Sequence, residues 1–413
     1  MIKVMAPKYR KASKKEKGAI LDEFIQMTGY DRCYASQMLK SQGQKVRLSR
    51  TIVAVKDVTR KLPRKRPAVY DQPVKPALHQ VWRIMDCICG KRLAPMLPEL
   101  IPRLEQHDEI EVDAQTRDKL CQISAATIDR VLSAEKKKWA LKGRSHTKPG
   151  TWLKQPIPIR TVTEWHEQPP GLVQIDLVAH EGGDARGDFL QTLDVTDVAT
   201  GWTETHAVRN KAQKWVVEAL EAIRARFPFP WTGIHSDNGS EVINAHLVRF
   251  CQHHEIAFTR TRPYRRNDNC YVEQKNYTVV RQLVGYFRYD TPEELALLNR
   301  LYGVQRQMHN FFLPQMKLRS KTREGSKVTK TYDSPRTPYA RILASPSVSQ
   351  TAKEALKAEY ATLNPAKLRR QILALQGELY ELAVRTTDSP DREQNLLWEQ
   401  TGIQPRGLEY FSF

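Results

Sequence analysis

Residues 234–241, Ile234-His235-Ser236-Asp237-Asn238-Gly239-Ser240-Glu241, run a short apolar strand into a carboxylate and then into Asn-Gly. Asn-Gly is a strong turn signal, so Asp237 reads either as a surface turn residue or as a carboxylate mounted on a strand tip. The flanking sequence bears on the choice. Upstream, Leu172 to Asp176 reads as a strand ending in a carboxylate, Gly182-Gly183 as a turn, and 189–194 and 202–208 as two more strands, a three-stranded meander over 171–208. Asn210 caps a helix with apolar or small residues at 212, 215, 216, 219, 220 and 223, an i, i+3, i+4 repeat. Downstream come a helix over 244–254, a strand over 256–261, a Pro/Arg/Asn loop over 262–269 and a helix from Val272 to Phe287. The order β-β-β-α-β-α-β-α predicts an α/β layer fold with a mixed central sheet flanked by helices.

Three carboxylates in this block occupy element ends: Asp176 on the first strand, Asp237 on the fourth, and Glu273 at the start of the last helix, with 35 residues between it and Asp237. Neighbouring strand tips facing a helix start could bring them together. Such a cluster repels itself unless cations sit within it, and hard oxygen ligands suit Mg²⁺ or Mn²⁺. Two such ions can activate a nucleophilic oxygen and stabilise the leaving one. His235 and Asn276 could support the ligands or contact a scissile phosphate, and Asn238-Gly239 lets the backbone turn beside Asp237. Arg260, Arg262, Arg265, Arg266, Lys275 and Arg281 add phosphate-facing charge, and Tyr264 and Tyr271 could stack on unpaired bases. Asp194 also stands at a strand end, but the order of motifs favours Asp176 as the first ligand.

QIDLVAH (174–180), HSDNGSEVIN (235–244) and RPYRRNDNCYVEQKN (262–276), in this order and spacing, resemble the DDE catalytic core of retroviral integrases and bacterial insertion-sequence transposases. The resemblance spans about residues 165–315. It implies an RNase H-like fold, with Asp176, Asp237 and Glu273 as ligands of two Mg²⁺ or Mn²⁺ ions and Asn238, Gly239 and Asn276 as frequent companions. No His-His-Cys-Cys zinc module precedes the core, which favours the transposase branch. Asp268-Asn269-Cys270 stands where integrases often carry Gln-Gly.

The chain of 413 residues has a formal net charge of +20. About +13 of it falls within residues 1–66, which suggests a polyanionic partner, most simply nucleic acid. Residues 1–12 read as a flexible basic arm. Ser13-x-x-Glu16 is a capping box, Gly29 a helix stop and Asp31 a second cap, a helix-turn-helix pattern with Tyr34, Ser36, Gln37 and Lys40 facing outward. Residues 44–72 read as a Pro-punctuated basic linker with Arg64, Lys65 and Arg66 at its centre. Asp113 and Ser124 cap a second such pair, with Thr127 and Arg130 outward.

The resulting division is a helix-turn-helix domain over 1–60, a basic linker over 61–72, a second helical, helix-turn-helix domain over 73–138 and an extended linker over 139–165. The catalytic core follows over 166–315, then a small basic β-module over 316–345 and a helical tail over 346–413. In the tail, Leu368, Ile372, Leu375, Leu379 and Leu382 form a two-heptad seam that either packs on its own chain or self-associates.

Six cysteines make no disulfide framework, and Cys87-x-Cys89 with His79 and His107 matches no usual zinc spacing. The absence of long apolar runs leads us to expect an intracellular protein with no membrane partner, and the resemblance implies a bacterial cytoplasmic one, nucleoid-associated when bound to DNA. The resemblance implies a transposase that binds the terminal repeats of its element as double-stranded DNA, cleaves strands at the ends and joins the 3′-hydroxyls to target DNA as a homo-oligomer. The competing expectation is a DNA-binding regulator or retired transposase without strand transfer.

Overall fold

The computed structural model describes residues 1–47, 53–58, 70, 73–138, 169–236, 245–261, 269–324 and 326–387. The chain forms two compact units, Met1–Val69 and Tyr70–Phe413.

In the first unit, α1 (Ile2–Lys11) is a helix where a flexible arm was expected. The reason lies in the core. Ala6 and Tyr9 of α1 are buried with Leu21 and Phe24 of α2 (Lys14–Thr28) and Ala35 and Leu39 of α3 (Arg32–Ser41). Two short helices alone could not enclose that cluster. The local signals hold as read: the Ser13/Glu16 capping box closes, Gly29 ends α2 at φ 68°, and Asp31 accepts from the amides of Cys33 and Tyr34. After α3, part of the expected linker forms a hairpin of β1 (Lys45–Arg47) and β2 (Val53–Val55). Gly43 at φ 75° starts it, its amide donating to the Lys56 carbonyl at 2.7 Å.

In the second unit, a helical layer of α4 (Val74–Ile84), α5 (Gly90–Leu93), α6 (Leu97–Gln106), α7 (Ala114–Gln122), α8 (Ala125–Val131) and α9 (Ser133–Lys138) precedes the sheet. Asp113 and Ser124 cap α7 and α8. Five strands follow: β3 (Leu172–Ala179), β4 (Gln191–Asp197), β5 (Thr203–Val208), β6 (Gly233–Ser236) and β7 (Ala257–Arg260). Their order is β5-β4-β3-β6-β7, antiparallel among the first three and parallel from β3 to β7. Against the sheet lie α10 (Gln213–Arg226), α11 (Ala245–His253), α12 (Cys270–Lys275), a π-helical turn at Asn276–Arg281, α13 (Gln282–Val284) and α14 (Pro292–Gln307) with a second π turn at Met308–Phe312. This mixed, helix-flanked sheet is the expected RNase H-like core.

Beyond it are the hairpin β8 (Leu318–Glu324) and β9 (Lys327–Tyr332), then α15 (Pro338–Ala344), α16 (Gln350–Thr362) and α17 (Pro365–Thr387). The seam of α17 is occupied within the chain. Leu368, Ile372, Leu375 and Leu379 are buried in the same apolar cluster as Leu297, Leu298 and Leu301 of α14. It therefore lends no support to self-association. The α4–α8 layer joins that cluster as well. Arg103 of α6 donates to the carbonyls of Tyr360 and Leu363, both at 2.9 Å, and its guanidinium stacks 3.9 Å from the Tyr360 ring.

Candidate active site

The site is assembled on two strands and one helix. Residues i and i+2 of a strand share a face, so Gln174 and Asp176 of β3 point the same way. Across the antiparallel ladder they meet Thr196 and Asp194 of β4. Helix α12 lies over this ribbon, and its first turn has amides with no intrahelical partner. Gln174, fully buried, supplies one: its Oε1 accepts from the amides of Tyr271 and Val272 at 2.9 and 3.2 Å. One turn later, Asn276 donates from Nδ2 to Asp176 Oδ2 at 2.6 Å, while Asp176 Oδ1 accepts from the Leu177 amide at 2.8 Å. Two residues of β3 thus register α12 at two points. Glu273 lies between those points in the chain, exposed in the first turn of α12, where the helix dipole favours a carboxylate.

On the other side of Asp176, β6 runs parallel to β3 with His235 opposite Gln174 and Ser236 opposite Ile175. His235 is buried, and its Nδ1 meets Thr259 Oγ1 at 2.9 Å, so the ring is tied to β7. Asp237, Asn238, Arg262, Tyr264, Arg265 and Arg266 lie outside the described residues, as do Arg64, Lys65 and Arg66.

Beneath half-buried Asp176 and exposed Glu273 is a buried polar layer. Asp194, directly across from Asp176, is fully buried; burial holds its carboxyl well above the usual carboxylate range, against the opposing pull of Lys275. Lys275 points inward and not toward solvent, with Nζ 3.3 Å from His309 Nε2 in the second π turn. Burial, with Arg92 nearby, pushes the Lys275 ammonium down to about 7. His309 is held well below its ordinary value, first by burial and then by Lys275 and Arg92, so its Nε2 can accept from Lys275 and from Gln315 at 3.0 Å. Both π turns of the core border this contact, one beginning right after Lys275 and the other carrying His309. π turns often mark functional sites.

Residues 166–266 match the integrase core domain family. The chain is also 39% identical over 343 residues to a protein of Sinorhizobium fredii described as uncharacterized protein y4rM, covering 83% of this chain and 93% of that one. The chain belongs to the integrase core family. The integrase core brings with it an integrase- or transposase-type role and a DNA substrate, and cores of this kind generally use divalent metal ions.

The donor set fits such ions. Asp176 and Glu273 offer hard carboxylate oxygens, and the nearby His235 is tied to Thr259 instead. Among the described residues no group of three His, Cys, Asp or Glu converges on one point. Asp237, the third member of the expected triad, is outside the described residues.

Other sequence-derived candidates fall as follows. Arg281 is committed to the carbonyl of Ala179 at 2.6 Å, not to solvent. Tyr271 is half-buried with Leu172 and Val198, with Lys317 Nζ 5.6 Å from its ring. Tyr34, Gln37, Lys40 and Arg130 are exposed, whereas Ser36 and Thr127 are half-buried. Ser36 Oγ pairs with Tyr9 and Thr127 Oγ1 with Ser124. Among the described residues no helix is long and apolar enough to cross a membrane.

Sequence reading missed Gln174 and the buried partners of Lys275. Gln174 carried a usable signal, a polar residue two before Asp176 on the same strand face. His309 carried none, since it meets Lys275 from 34 residues away.

Proposed function

We propose that this integrase core protein is a DDE transposase. Asp176, Asp237 and Glu273 hold two Mg²⁺ or Mn²⁺ ions, which when bound supply the electrophilic stabilisation for phosphoryl transfer. The observation that carries the reading is the pairing of Asp176 with Asn276, one turn after Glu273, next to a strand whose last described residue, Ser236, immediately precedes Asp237 in the chain. In this reading Asn276 orients the Asp176 carboxylate, Gln174 fixes the helix that carries Glu273, and Lys275 with Asp194 holds that helix from beneath. Asn238 and His235 support the ligands or contact the scissile phosphate.

The protein binds the terminal repeats of its mobile element through two helix-turn-helix units, 1–60 and 73–138. Tyr34, Gln37, Lys40, Thr127 and Arg130 face the duplex, and Arg64, Lys65 and Arg66 of the linker lie along phosphates. Arg262, Arg265 and Arg266 meet DNA beside Glu273. The core over 166–315 cleaves one strand at each end, and the freed 3′-hydroxyl attacks target DNA. No covalent protein–DNA intermediate is required. Handling two ends together calls for a homo-oligomer on DNA, acting on the bacterial nucleoid.

A strand-transfer assay with duplexes carrying the inverted repeats that flank the gene tests this. Asp176→Asn, Asp237→Asn and Glu273→Gln should each abolish cutting and joining while duplex binding persists. Full activity in either the Asp237 or the Glu273 variant refutes the assignment.

A further inference from the structure

Gly18 lies in the middle of α2, and glycine is the poorest helix former after proline. Such a glycine is usually explained by a close neighbour, yet no heavy atom lies within 4 Å of the place its Cβ would take. Nothing described in the fold requires the missing side chain. The space in front of it is a groove of about 510 Å³ lined by Arg10 of α1, Lys14 and Lys17 of α2, and Arg32 and Lys40 of α3. Five cations from three helices converge there. Arg10 lies beside the left-handed turn at Gly43, its guanidinium nitrogen 3.1 Å from where a Cβ would stand. Arg32 pairs with Asp22. A concave surface of one charge focuses its field outward and draws in anions.

We propose that this groove seats the phosphate backbone of duplex DNA, which passes over the bare helix surface at Gly18 while the exposed face of α3 reads base edges. A side chain at position 18 would stand between the phosphates and α2. Five cations from three helices over a groove of about 510 Å³ suit a run of successive phosphates better than a single small anion. The proposal rests on the reading of α2 and α3 as a helix-turn-helix and identifies where the backbone lies on it.

The test uses the full-length protein and fluorescence anisotropy, with a duplex carrying the flanking inverted repeat and a random duplex of equal length, across a salt series. Gly18→Ala should hold or raise the thermal midpoint, because alanine favours the helix and meets nothing. It should nevertheless weaken binding to both duplexes about fivefold, and Gly18→Gln should weaken it further. Lys14→Ala with Lys17→Ala should lower the slope of log K against log salt by about 1.8, at about 0.9 per phosphate contact, leaving the preference for the repeat unchanged.

Gln37→Ala is the reference for base reading. If it lowers the preference for the repeat while the Gly18 and lysine variants bind like wild type, the groove is overturned and the helix-turn-helix stands. If wild type binds neither duplex, or Tyr34→Ala and Gln37→Ala also leave binding untouched, the helix-turn-helix falls and the groove with it.

Discussion

Replacing Asn276 with alanine isolates the contact that ties the Glu273 helix to Asp176. The bond is 2.6 Å long and its acceptor is a carboxylate. A hydrogen bond to a charged group contributes about 1.5–3 kcal/mol. At about 1.4 kcal/mol per factor of ten, its loss should cost roughly 10–100-fold in apparent metal affinity or cleavage rate. Residues that orient metal ligands show the same range, about 10–100-fold, when mutated. Stability should move much less. Asn276 Oδ1 is buried and meets no partner among the described residues, so truncation also removes an unsatisfied acceptor. The assay is cleavage of an end duplex as a function of Mg²⁺ or Mn²⁺ concentration, run beside a thermal melt. Asn276→Asp places a second carboxylate against Asp176 and should cost more than alanine at neutral pH. A metal dependence within twofold of wild type in Asn276→Ala would show that this bond does not organise the site.

Further predictions concern the framework. Glu204, 1% exposed, meets Arg306 at 2.7 Å and Arg226 at 3.2 Å, so Glu204→Gln should cost about 3 kcal/mol, the low end for breaking a buried pair, because Arg226 and Arg306 are only half-buried and Arg306 keeps Glu359. A melt should show a fall of roughly 6–10 °C, and an unchanged midpoint contradicts the role. Burial and Arg226 push His206 down to about 4, so the unfolded chain protonates first as pH falls below about 6.5. Stability is then fully present above that pH and declines toward pH 4. Denaturant midpoints of His206→Gln should show a shallower decline, by up to about 1.4 kcal/mol per pH unit, and coincident slopes refute the assignment. At Gly90 an added Cβ would lie 2.2 Å from the Ala125 carbonyl oxygen. Gly90→Ala should therefore push α5 off α8 and cost about 1–3 kcal/mol in denaturant unfolding, and a neutral result rules out this close approach.

The comparison of sequence with structure separates by range. Signals acting within a few residues were legible: the caps at Ser13, Asp31, Asp113 and Ser124 and the stop at Gly29. Each cap is a side chain satisfying amides that the helix itself leaves unpaired, and Gly29 stops α2 because it alone takes the left-handed φ at no steric cost, so none needs a tertiary partner. The strand meander and the order of elements were legible for the same reason, because hydrophobic period follows from backbone geometry. Strand β4 marks the limit. Thr192, Asp194 and Thr196 alternate with Leu193 and Val195, a pattern that by itself describes a strand with one wet face. Both faces are in fact buried. Thr192 joins His180 and Tyr302, each at 2.7 Å, and Asp194 lies beneath α12 across from Asp176.

The sequence by itself determined which segments of the core form strands and helices, but not where they end: Asp176 and Asp194, expected at strand tips, lie inside β3 and β4, which run on to Ala179 and Asp197. Only the tertiary structure decided that the polar face of β4 is interior, that Lys275 turns inward to His309, that Gln174 caps α12, and that residues 2–11 fold as a helix whose Ala6 and Tyr9 pack on Leu21, Phe24, Ala35 and Leu39. Each of these depends on a partner distant in sequence. An alternating or helical period specifies which side chains share a face, and the partner that covers the face is set only when the whole chain packs.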